Sequence, residues 1–161
     1  MKLKPAKTAA VEESQLLVFS LQKEELGINI EWVREVLPQK EIHPLPKAPD
    51  FIEGVINLRG HIIAVIDLRK KFKLSVLEEN ANKRVIICKI KDFIAGLIVD
   101  SVSEVLTLPE IHINPTPKIV SIQTVEGYIK GIARIGERVI VILDLEKILS
   151  EEETQKMSQI K

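Results

Sequence analysis

The stretch GINIEWVREVLPQKEIHPLP, residues 27–46, returns later in the chain as GLIVDSVSEVLTLPEIHINP, residues 96–115, and nine of the 20 aligned positions are identical without a gap. Residues 54–72 and 131–149 align in the same order, with five matches in 19 positions. The first pair of blocks is offset by 69 residues and the second by 77, which predicts an insertion of eight residues near 116–130. Such a repeat is typical of a duplicated structural unit.

The repeat predicts two homologous lobes that share one small protein. We place the first lobe at about residues 15–82 and the second at about residues 83–150. Residues 1–14 carry lysines but no apolar run, and we predict a disordered N-terminal tail there. Residues 151–161 are polar, and we predict a C-terminal tail with a frayed helical end.

Stiff β-branched side chains dominate the apolar composition. Ile and Val together make up 39 of the 161 residues, whereas aromatic residues are only 4%. Such side chains favour strands, and short apolar runs between Gly and Pro turns favour small closed barrels over an open parallel sheet. We therefore predict a mainly β fold of two barrels related by the repeat, with few and short helices. The alternative is a single closed barrel with a hairpin appendage.

Each lobe is predicted to contain two hairpins with a short helix between them. The predicted strands are Leu16–Leu21, Leu26–Ile30, Val55–Leu58 and Ile62–Asp67 in the first lobe, and Arg84–Ile90, Phe93–Val99, Ile129–Ile135 and Arg138–Asp144 in the second. The spacing of apolar residues predicts helices at Glu31–Leu37 and Ser101–Leu106, the second opening on a capping-box signature. Asp67 and Asp144 each end a strand, and we interpret them as helix N-caps rather than catalytic carboxylates.

The common motifs of catalysis and cofactor binding are absent from the sequence. No two of the seven glycines are closer than four residues, so neither the dinucleotide fingerprint nor the phosphate-binding loop occurs. His43, His61 and His112 show no metal-ligand spacing. The single cysteine, Cys88, lies in an apolar run and is interpreted as a buried hydrophobic residue. We expect no enzymatic activity, no metal and no cofactor.

Charge and hydropathy narrow the class of partner. The chain has 23 basic and 23 acidic residues, whereas nucleic-acid-binding proteins usually carry a basic excess. The basic run at residues 69–73 is interpreted as a solvated helix face rather than an anion-binding patch. No apolar run approaches the roughly 18 residues of a membrane span, and the N-terminus has no secretory signal. We expect a cytoplasmic protein with no nucleic-acid partner and no direct membrane insertion.

Three stretches resemble the hallmark sequences of a known family. They are FIEGVINLRG at residues 51–60, IIAVIDL at residues 62–68 and GLIVDSV at residues 96–102. These stretches are similar to those of the CheW family, and the resemblance extends over about residues 15–150. It implies two SH3-like five-stranded β-barrels and a non-catalytic coupling protein of bacterial chemotaxis. Such a protein bridges methyl-accepting chemoreceptors to the histidine kinase CheA.

The resemblance also implies particular partners and a place in the cell. The partners are the regulatory domain of CheA and the cytoplasmic tips of the receptors, and the protein is recruited to membrane-associated receptor arrays. CheV and CheA contain the same homology domain, but the length of this chain favours a stand-alone coupler. Two alternatives stay open. One is a related adaptor of a surface-motility pathway, and the other is a small-ligand-binding or enzymatic β-barrel.

Individual positions match family positions with implied binding roles. Those linked to receptor binding are Val33, Glu35, Asn57, Leu58, Arg59, Gly60, Gly96 and Val105. Gly54 matches a position linked to kinase binding. Core packing is the alternative for the apolar members, Val105 included, and a bulge or close backbone approach is the alternative for Gly96.

The most specific prediction concerns an ion pair of Arg59. The repeat aligns Gly136 with it, so the second lobe keeps the hairpin without an arginine at this position. A guanidinium on an exposed turn can hold a carboxylate through two parallel hydrogen bonds. Glu35, which the resemblance places nearby on the first predicted helix, is the expected partner. The alternative is that Arg59 only clamps its own turn or the interface between the lobes.

Overall fold

The computed structural model of the protein describes residues 13–38, 41–75, 82–109, 113–114 and 127–158. The predicted N-terminal tail lies outside these ranges as far as residue 12, and residues 13 and 14 begin the first strand. The predicted insertion near 116–130 lies outside them as far as residue 126.

The described chain forms eleven strands, two short α-helices and two 3-10 turns with assigned bounds. The strands are β1 Glu13–Leu21, β2 Glu24–Asn29, β3 Val33–Pro38, β4 Ile52–Leu58, β5 His61–Asp67, β6 Arg84–Ile90, β7 Phe93–Val99, β8 Ser101–Pro109, β9 Ile113–Asn114, β10 Ile129–Ile135 and β11 Arg138–Leu143. The helices are α1 Leu68–Lys71 and α2 Glu151–Ser158, and the 3-10 turns are Ile30–Trp32 and Leu145–Lys147. The prediction of a mainly β fold with few, short helices is confirmed.

The two repeats exchange hairpins between two sheets. One sheet has the strand order β3-β6-β7-β5-β4, and the other has the order β8-β1-β2-β11-β10-β9. The β1–β2 hairpin of the first repeat therefore lies in the sheet of the second repeat, and the β6–β7 hairpin lies in the sheet of the first. Each exchanged hairpin is joined on both sides, by the parallel contacts of β5 with β7 and β11 with β2 and by the antiparallel contacts of β3 with β6 and β1 with β8. The boundary near residue 82 thus divides the sequence repeat, whereas each sheet takes strands from both halves.

Alternate side chains of the exchanged strands enter different cores. In β6, Val85 and Ile87 pack in a cluster within the five-stranded barrel, whereas Ile86, Cys88 and Ile90 join a large cluster between the two sheets. Strand β1 divides in the same way, with Leu16 and Val18 in the second barrel and Leu17, Phe19 and Leu21 in the shared cluster. The two small barrels are therefore packed back to back. Burial on both faces explains why these strands are apolar at nearly every position.

Both helices predicted after the first hairpins were wrong, because these segments are strands apart from the 3-10 turn at Ile30–Trp32. In β3, Glu35 is paired with Ile87 of β6, and the burial of successive residues alternates. In β8, Val105 is paired with Leu17 of β1. The apolar spacing in each six- or seven-residue segment fits a helix as well as a strand, and pairing to a neighbouring strand decides between them. The predicted cap residue Ser101 instead places its Oγ 2.6 Å from Ser20 Oγ.

The capping predictions for the two aspartates are confirmed. Asp67 Oδ1 accepts the backbone N–H of Arg69 at 2.9 Å, and Asp144 Oδ1 accepts that of Glu146 at 3.0 Å. The segment expected to be a frayed tail contains a docked helix, α2. Its Glu153 forms an ion pair with Lys71, whose side chain is only 8% exposed.

Candidate functional site

The turn between β4 and β5 has a backbone that only a few residue types adopt easily. Arg59 and Gly60 occupy its two central positions with φ of +51° and +86°, and Leu58 is paired with His61 across it. Positive φ at both central residues defines the turn type that matches the twist of a β-hairpin. Asn57 Oδ1 accepts the backbone N–H of Gly60 at 2.9 Å. The Asn-Leu-Arg-Gly sequence therefore holds Arg59 at the tip of a fixed turn.

Arg59 forms the predicted bidentate ion pair with Glu35. Nη1 lies 2.8 Å from Oε1 and Nη2 lies 2.9 Å from Oε2. The hydrogen bond and charge of Glu35 raise the pKa of Arg59. The arginine side chain is 68% exposed and the glutamate 29% exposed, so a face of the guanidinium is open to a partner. Because β3 and β4 are the two edge strands of their sheet, this ion pair also ties the edges together.

An apolar groove of about 500 Å³ lies beside this ion pair. Its most exposed apolar side chains are Ile62, at 59% exposure, and Ile94, at 42%. The other side chains that line it are Arg34, Glu35, Leu58, Arg59, His61, Ile63, Ala64, Ile87, Asp92 and Phe93. Exposed large apolar side chains in a concavity with polar groups at its rim are typical of a binding surface. Sequence analysis missed Ile62 and Ile94, which are the exposed second residues of β5 and β7, and their place directly after a polar turn is the signal that could have found them.

The remaining residues linked to receptor binding lie at different depths. Leu58 is buried with its side chain in the barrel core, and it lines the base of the groove. Val33 precedes Glu35 on β3 and packs against the cluster between the sheets. Gly96 is buried in the middle of β7, where a Cβ would lie 2.8 Å from Val85 Cγ1. Val105 is 49% exposed on β8, in the other sheet.

Gly54, the residue linked to kinase binding, is buried against another part of the chain. A Cβ at this position would lie 2.4 Å from the carbonyl oxygen of His43 and 2.8 Å from Ile42 Cγ2. His43 is held there by two backbone hydrogen bonds with Val55, each of 2.9 Å. Gly54 is therefore required for the close approach of the segment around His43 to the edge of β4.

The second barrel has a comparable ion-pair cluster, but its arginine occupies a different position in the hairpin. Arg138 places Nη2 2.9 Å from Glu104 Oε2 and 2.6 Å from Glu25 Oε1. The hydrogen bonds that Arg138 donates to Glu25 and then to Glu104 raise the pKa of its guanidinium. In the repeat, Glu104 aligns with Glu35, but Arg138 aligns with His61. The second hairpin therefore has no guanidinium at the position of Arg59, as the alignment predicts, but an arginine two residues further along pairs with the counterpart of Glu35.

The basic run at residues 69–73 is not a solvated face throughout. Arg69 is buried, and its Nε and Nη2 donate to the two carboxylate oxygens of Asp100 at 2.8 and 2.7 Å. Its Nη1 also donates to the Ser75 carbonyl oxygen at 2.7 Å. Asp100 accepts the backbone N–H of Gln22. Arg69 thus joins α1 to the single residue that links β7 to β8 and, through it, to the β1–β2 turn.

Cys88 is fully buried, and burial raises the pKa of its thiol to about 12. This confirms the interpretation of Cys88 as a buried hydrophobic residue. Among the residues that the structure describes, no group of three or more His, Cys, Asp or Glu could hold a metal ion. His112 lies outside those residues. None of the described helices is long and apolar enough to span a membrane.

Three kinds of comparison with known proteins agree on one family. The model of the CheW-like domain matches residues 15–153. A chemotaxis protein CheW of Klebsiella aerogenes is 39% identical over 139 residues, covering 86% of this chain and 83% of the relative. One from Thermotoga maritima is 34% identical over 143 residues, covering 88% and 91%. The crystal structure of the scaffolding protein TtCheW from Thermoanaerobacter tengcongensis superposes with a TM-score of 0.78 at 39% identity, covering 86% of this chain and 94% of that one.

Proposed function

The chain belongs to the CheW-like domain family, and we propose that it bridges methyl-accepting chemoreceptors to the histidine kinase CheA in bacterial chemotaxis. Its two SH3-like lobes and its relatives place it among non-catalytic scaffold proteins. In this proposal the protein is cytoplasmic and joins receptor arrays at the membrane through its partners.

The apolar groove beside Arg59 is the observation that carries the proposal. A coupling protein needs a surface that a partner can cover, and Ile62 and Ile94 expose apolar area in a concavity. Arg59 stands at the rim on a fixed turn, with most of its side chain in solvent. An amphipathic helix of a receptor tip fits such a groove, with apolar side chains on the two isoleucines and an acidic group at the guanidinium.

We assign receptor binding to residues in four settings. Glu35, Asn57, Arg59 and Gly60 form or hold the rim of the groove. Leu58 forms part of its base.

Val33 and Gly96 are buried or half-buried nearby, so they support the groove through packing. Val105 offers exposed apolar area on the second sheet and would contact a receptor only if the receptor covers both barrels. Gly54 supports kinase binding by keeping the His43 segment against β4.

Binding of the two partners by the purified protein tests this function. We expect a receptor signalling-tip fragment and the CheA regulatory domain each to bind at micromolar concentration in isothermal titration calorimetry. The groove volume also lies within the range of about 300–1,000 Å³ that small-molecule sites occupy. If neither partner binds while a metabolite raises the melting temperature, the protein is a ligand-binding barrel rather than a coupler.

A further inference from the structure

The described strands place two crossovers of the chain between the sheets, at equivalent points of the repeat. The first crossover is the 3-10 turn Ile30–Trp32, between β2 of one sheet and β3 of the other. The second crossover is the single residue Asp100, between β7 and β8. The repeat offset of 69 aligns Glu31 with Asp100. The placement of one barrel on the other therefore depends on how these two crossovers are held.

An ion pair lies across the second crossover. Strand β5 pairs in parallel with β7 and sets Asp67 opposite Ile98. Two residues further along both strands, Arg69 faces Asp100 and donates two hydrogen bonds to its carboxylate. The two side chains are only 9% and 16% exposed. The guanidinium on α1 of the first barrel thus holds the residue at which the chain leaves for the second.

Asp100 is also bonded to the second sheet. Its backbone N–H donates to the carbonyl oxygen of Ser20 in β1 at 3.1 Å. Its Oδ2 accepts the backbone N–H of Gln22, in the turn between β1 and β2, at 2.9 Å. This crossover is therefore fixed by hydrogen bonds to elements on both sides of the junction.

The first crossover has different chemistry at the same two positions. Continued along the chain, the parallel register of β11 with β2 sets Glu146 opposite Glu31, the repeat counterparts of Arg69 and Asp100. Both glutamates are exposed, and two carboxylates cannot form an ion pair with each other. The backbone N–H of Glu31 donates to Asn29 Oδ1 at 2.9 Å, within its own turn. Of these two equivalent positions, one carries an ion pair across the junction and the other does not.

We infer that Arg69 and Asp100 are positioning residues, whose ion pair fixes the angle between the two barrels that receptor binding requires. Apolar packing in the shared cluster holds the barrels together without a preferred direction, whereas two parallel hydrogen bonds to a carboxylate have one. The inference rests on the proposed function, in which positions linked to receptor binding lie on both sheets, Glu35 on one and Val105 on the other. When the barrels sample several angles, only a fraction of the molecules can bind a partner across both.

Removal of both charges tests the inference without leaving a lone buried charge. The charge-free variant is Arg69→Met with Asp100→Asn, in which the asparagine oxygen can still accept the Gln22 N–H. The matched control is Lys71→Met with Glu153→Gln. It removes another ion pair with a nearly buried lysine, 8% exposed, that lies at neither crossover.

Double electron–electron resonance between two nitroxide labels measures how well the angle is fixed. Lys89→Cys on β6 and Glu137→Cys in the turn between β10 and β11 place one label on each barrel, at exposed positions. Cys88 is buried with a thiol pKa of about 12 and does not compete for the label. We expect a narrow distance distribution in the wild-type and control backgrounds and a broader one in the charge-free variant. A narrow distribution in all three would overturn the inference.

Calorimetric titration of the unlabelled proteins connects the angle to binding. We expect the charge-free variant to bind a receptor signalling-tip fragment about tenfold more weakly than the control, because fewer molecules hold the required angle. Binding of the CheA regulatory domain should stay unchanged, since Gly54, the position linked to it, lies within the first sheet. A broad distance distribution together with wild-type receptor affinity would also overturn the inference.

Arg69→Lys provides a second variant if the charge-free variant does not fold. It keeps the positive charge but replaces the planar fork of the guanidinium with a point charge. We expect a broader distance distribution and weaker receptor binding than in the wild type, and a lysine variant that matches the wild type in both would overturn the inference. Wild-type protein that binds neither partner refutes the proposed function instead, and the distance measurement still tests the angle.

Discussion

At the residue scale, the backbone and the ion pair of Arg59 fix the direction of its guanidinium. Its backbone is in the left-handed region, its guanidinium is bonded twice to Glu35, and most of its side chain is in solvent. The ion pair itself adds little stability, because exposed pairs are screened by water. Its larger contribution is therefore to present a cation in a fixed direction at the groove.

Replacement of Arg59 by Ala separates recognition from stability. We expect the melting temperature to stay nearly unchanged, since the lost ion pair is exposed. Receptor binding should weaken by about tenfold, and kinase binding should survive. Calorimetric titrations with each partner measure both effects.

Lys70→Ala is the matched control for this prediction, because Lys70 is another exposed cation with a carboxylate partner, Glu53, outside the groove. It should leave receptor affinity unchanged. An Arg59 variant that unfolds easily, or that binds receptor like the wild type, would mean that Arg59 only clamps its turn.

The Arg69–Asp100 pair differs from the Arg59 pair because it is withdrawn from solvent. The two side chains are 9% and 16% exposed. Arg69→Met leaves the Asp100 carboxylate in a buried setting without its guanidinium, and we expect a loss of about 3 kcal/mol in the free energy of unfolding. Urea denaturation at neutral pH measures it. Replacing both residues with apolar ones should cost less than either single change.

The cost of losing Arg69 should depend on pH in a defined direction. Burial raises the pKa of Asp100, but the hydrogen bonds from Arg69 and from the Gln22 backbone N–H outweigh burial, so its pKa lies below the usual value. A lowered folded pKa stabilises the protein above the unfolded pKa of about 3.9 and loses that stabilisation as pH falls through the folded value. The difference between wild type and Arg69→Met should therefore shrink below about pH 4. A difference that grows on acidification would show that the pair does not hold Asp100 ionised.

At the scale of structural elements, the segment around His43 can pack against β4 because Gly54 has no side chain. Gly54→Ala places a Cβ against the His43 carbonyl oxygen, and backbone must move to make room. We expect a loss of about 1–3 kcal/mol in the free energy of unfolding. The amides of His43 and Val55, which bond each other's carbonyl groups, should exchange hydrogen faster.

Gly127→Ala is the control for the Gly54 substitution, because a Cβ at Gly127 would meet none of the described residues within 4 Å and its φ lies outside the left-handed region. It should leave both stability and exchange unchanged. If Gly54→Ala is equally silent, the segment adapts without strain and the packing account of Gly54 is wrong.

The strands were largely predictable from sequence, whereas the two segments after the first hairpins were not. Strands such as Arg84–Ile90 and Phe93–Val99 were predicted with their observed bounds, because a short apolar run between turn residues is typical of a buried strand. Glu31–Leu37 was predicted as helix, whereas Val33–Pro38 is a strand, because apolar side chains at Val33, Val36 and Leu37 fit both periods. Its pairing with β6, about 50 residues away in sequence, is a long-range contact that local spacing does not encode.

At the scale of the whole molecule, the repeat predicts two related barrels but not the exchange of hairpins between them. Pairing within each repeat and pairing across repeats satisfy the same apolar pattern, since β1 and β6 are equivalent strands. The exchange places one face of each hairpin in a barrel core and the other in the shared cluster.

Only part of the candidate site was predicted, because the rest depends on the exchange of hairpins. The Arg59–Glu35 pair was predicted because the resemblance places Glu35 near the exposed turn of Arg59, whereas the Arg69–Asp100 pair joins elements whose proximity depends on the exchange. The groove formed by Ile62 and Ile94 likewise requires β5 beside β7.

Simultaneous binding of both partners tests the coupling function most directly. The CheA regulatory domain is immobilised, and a receptor signalling-tip fragment is passed over it with and without this protein. We predict that the fragment is retained only when the protein is present, and that the Arg59→Ala variant loses the fragment while it stays bound to the kinase domain. If the receptor fragment and the kinase domain compete for the protein instead of binding together, the protein is not a bridge and the account is contradicted.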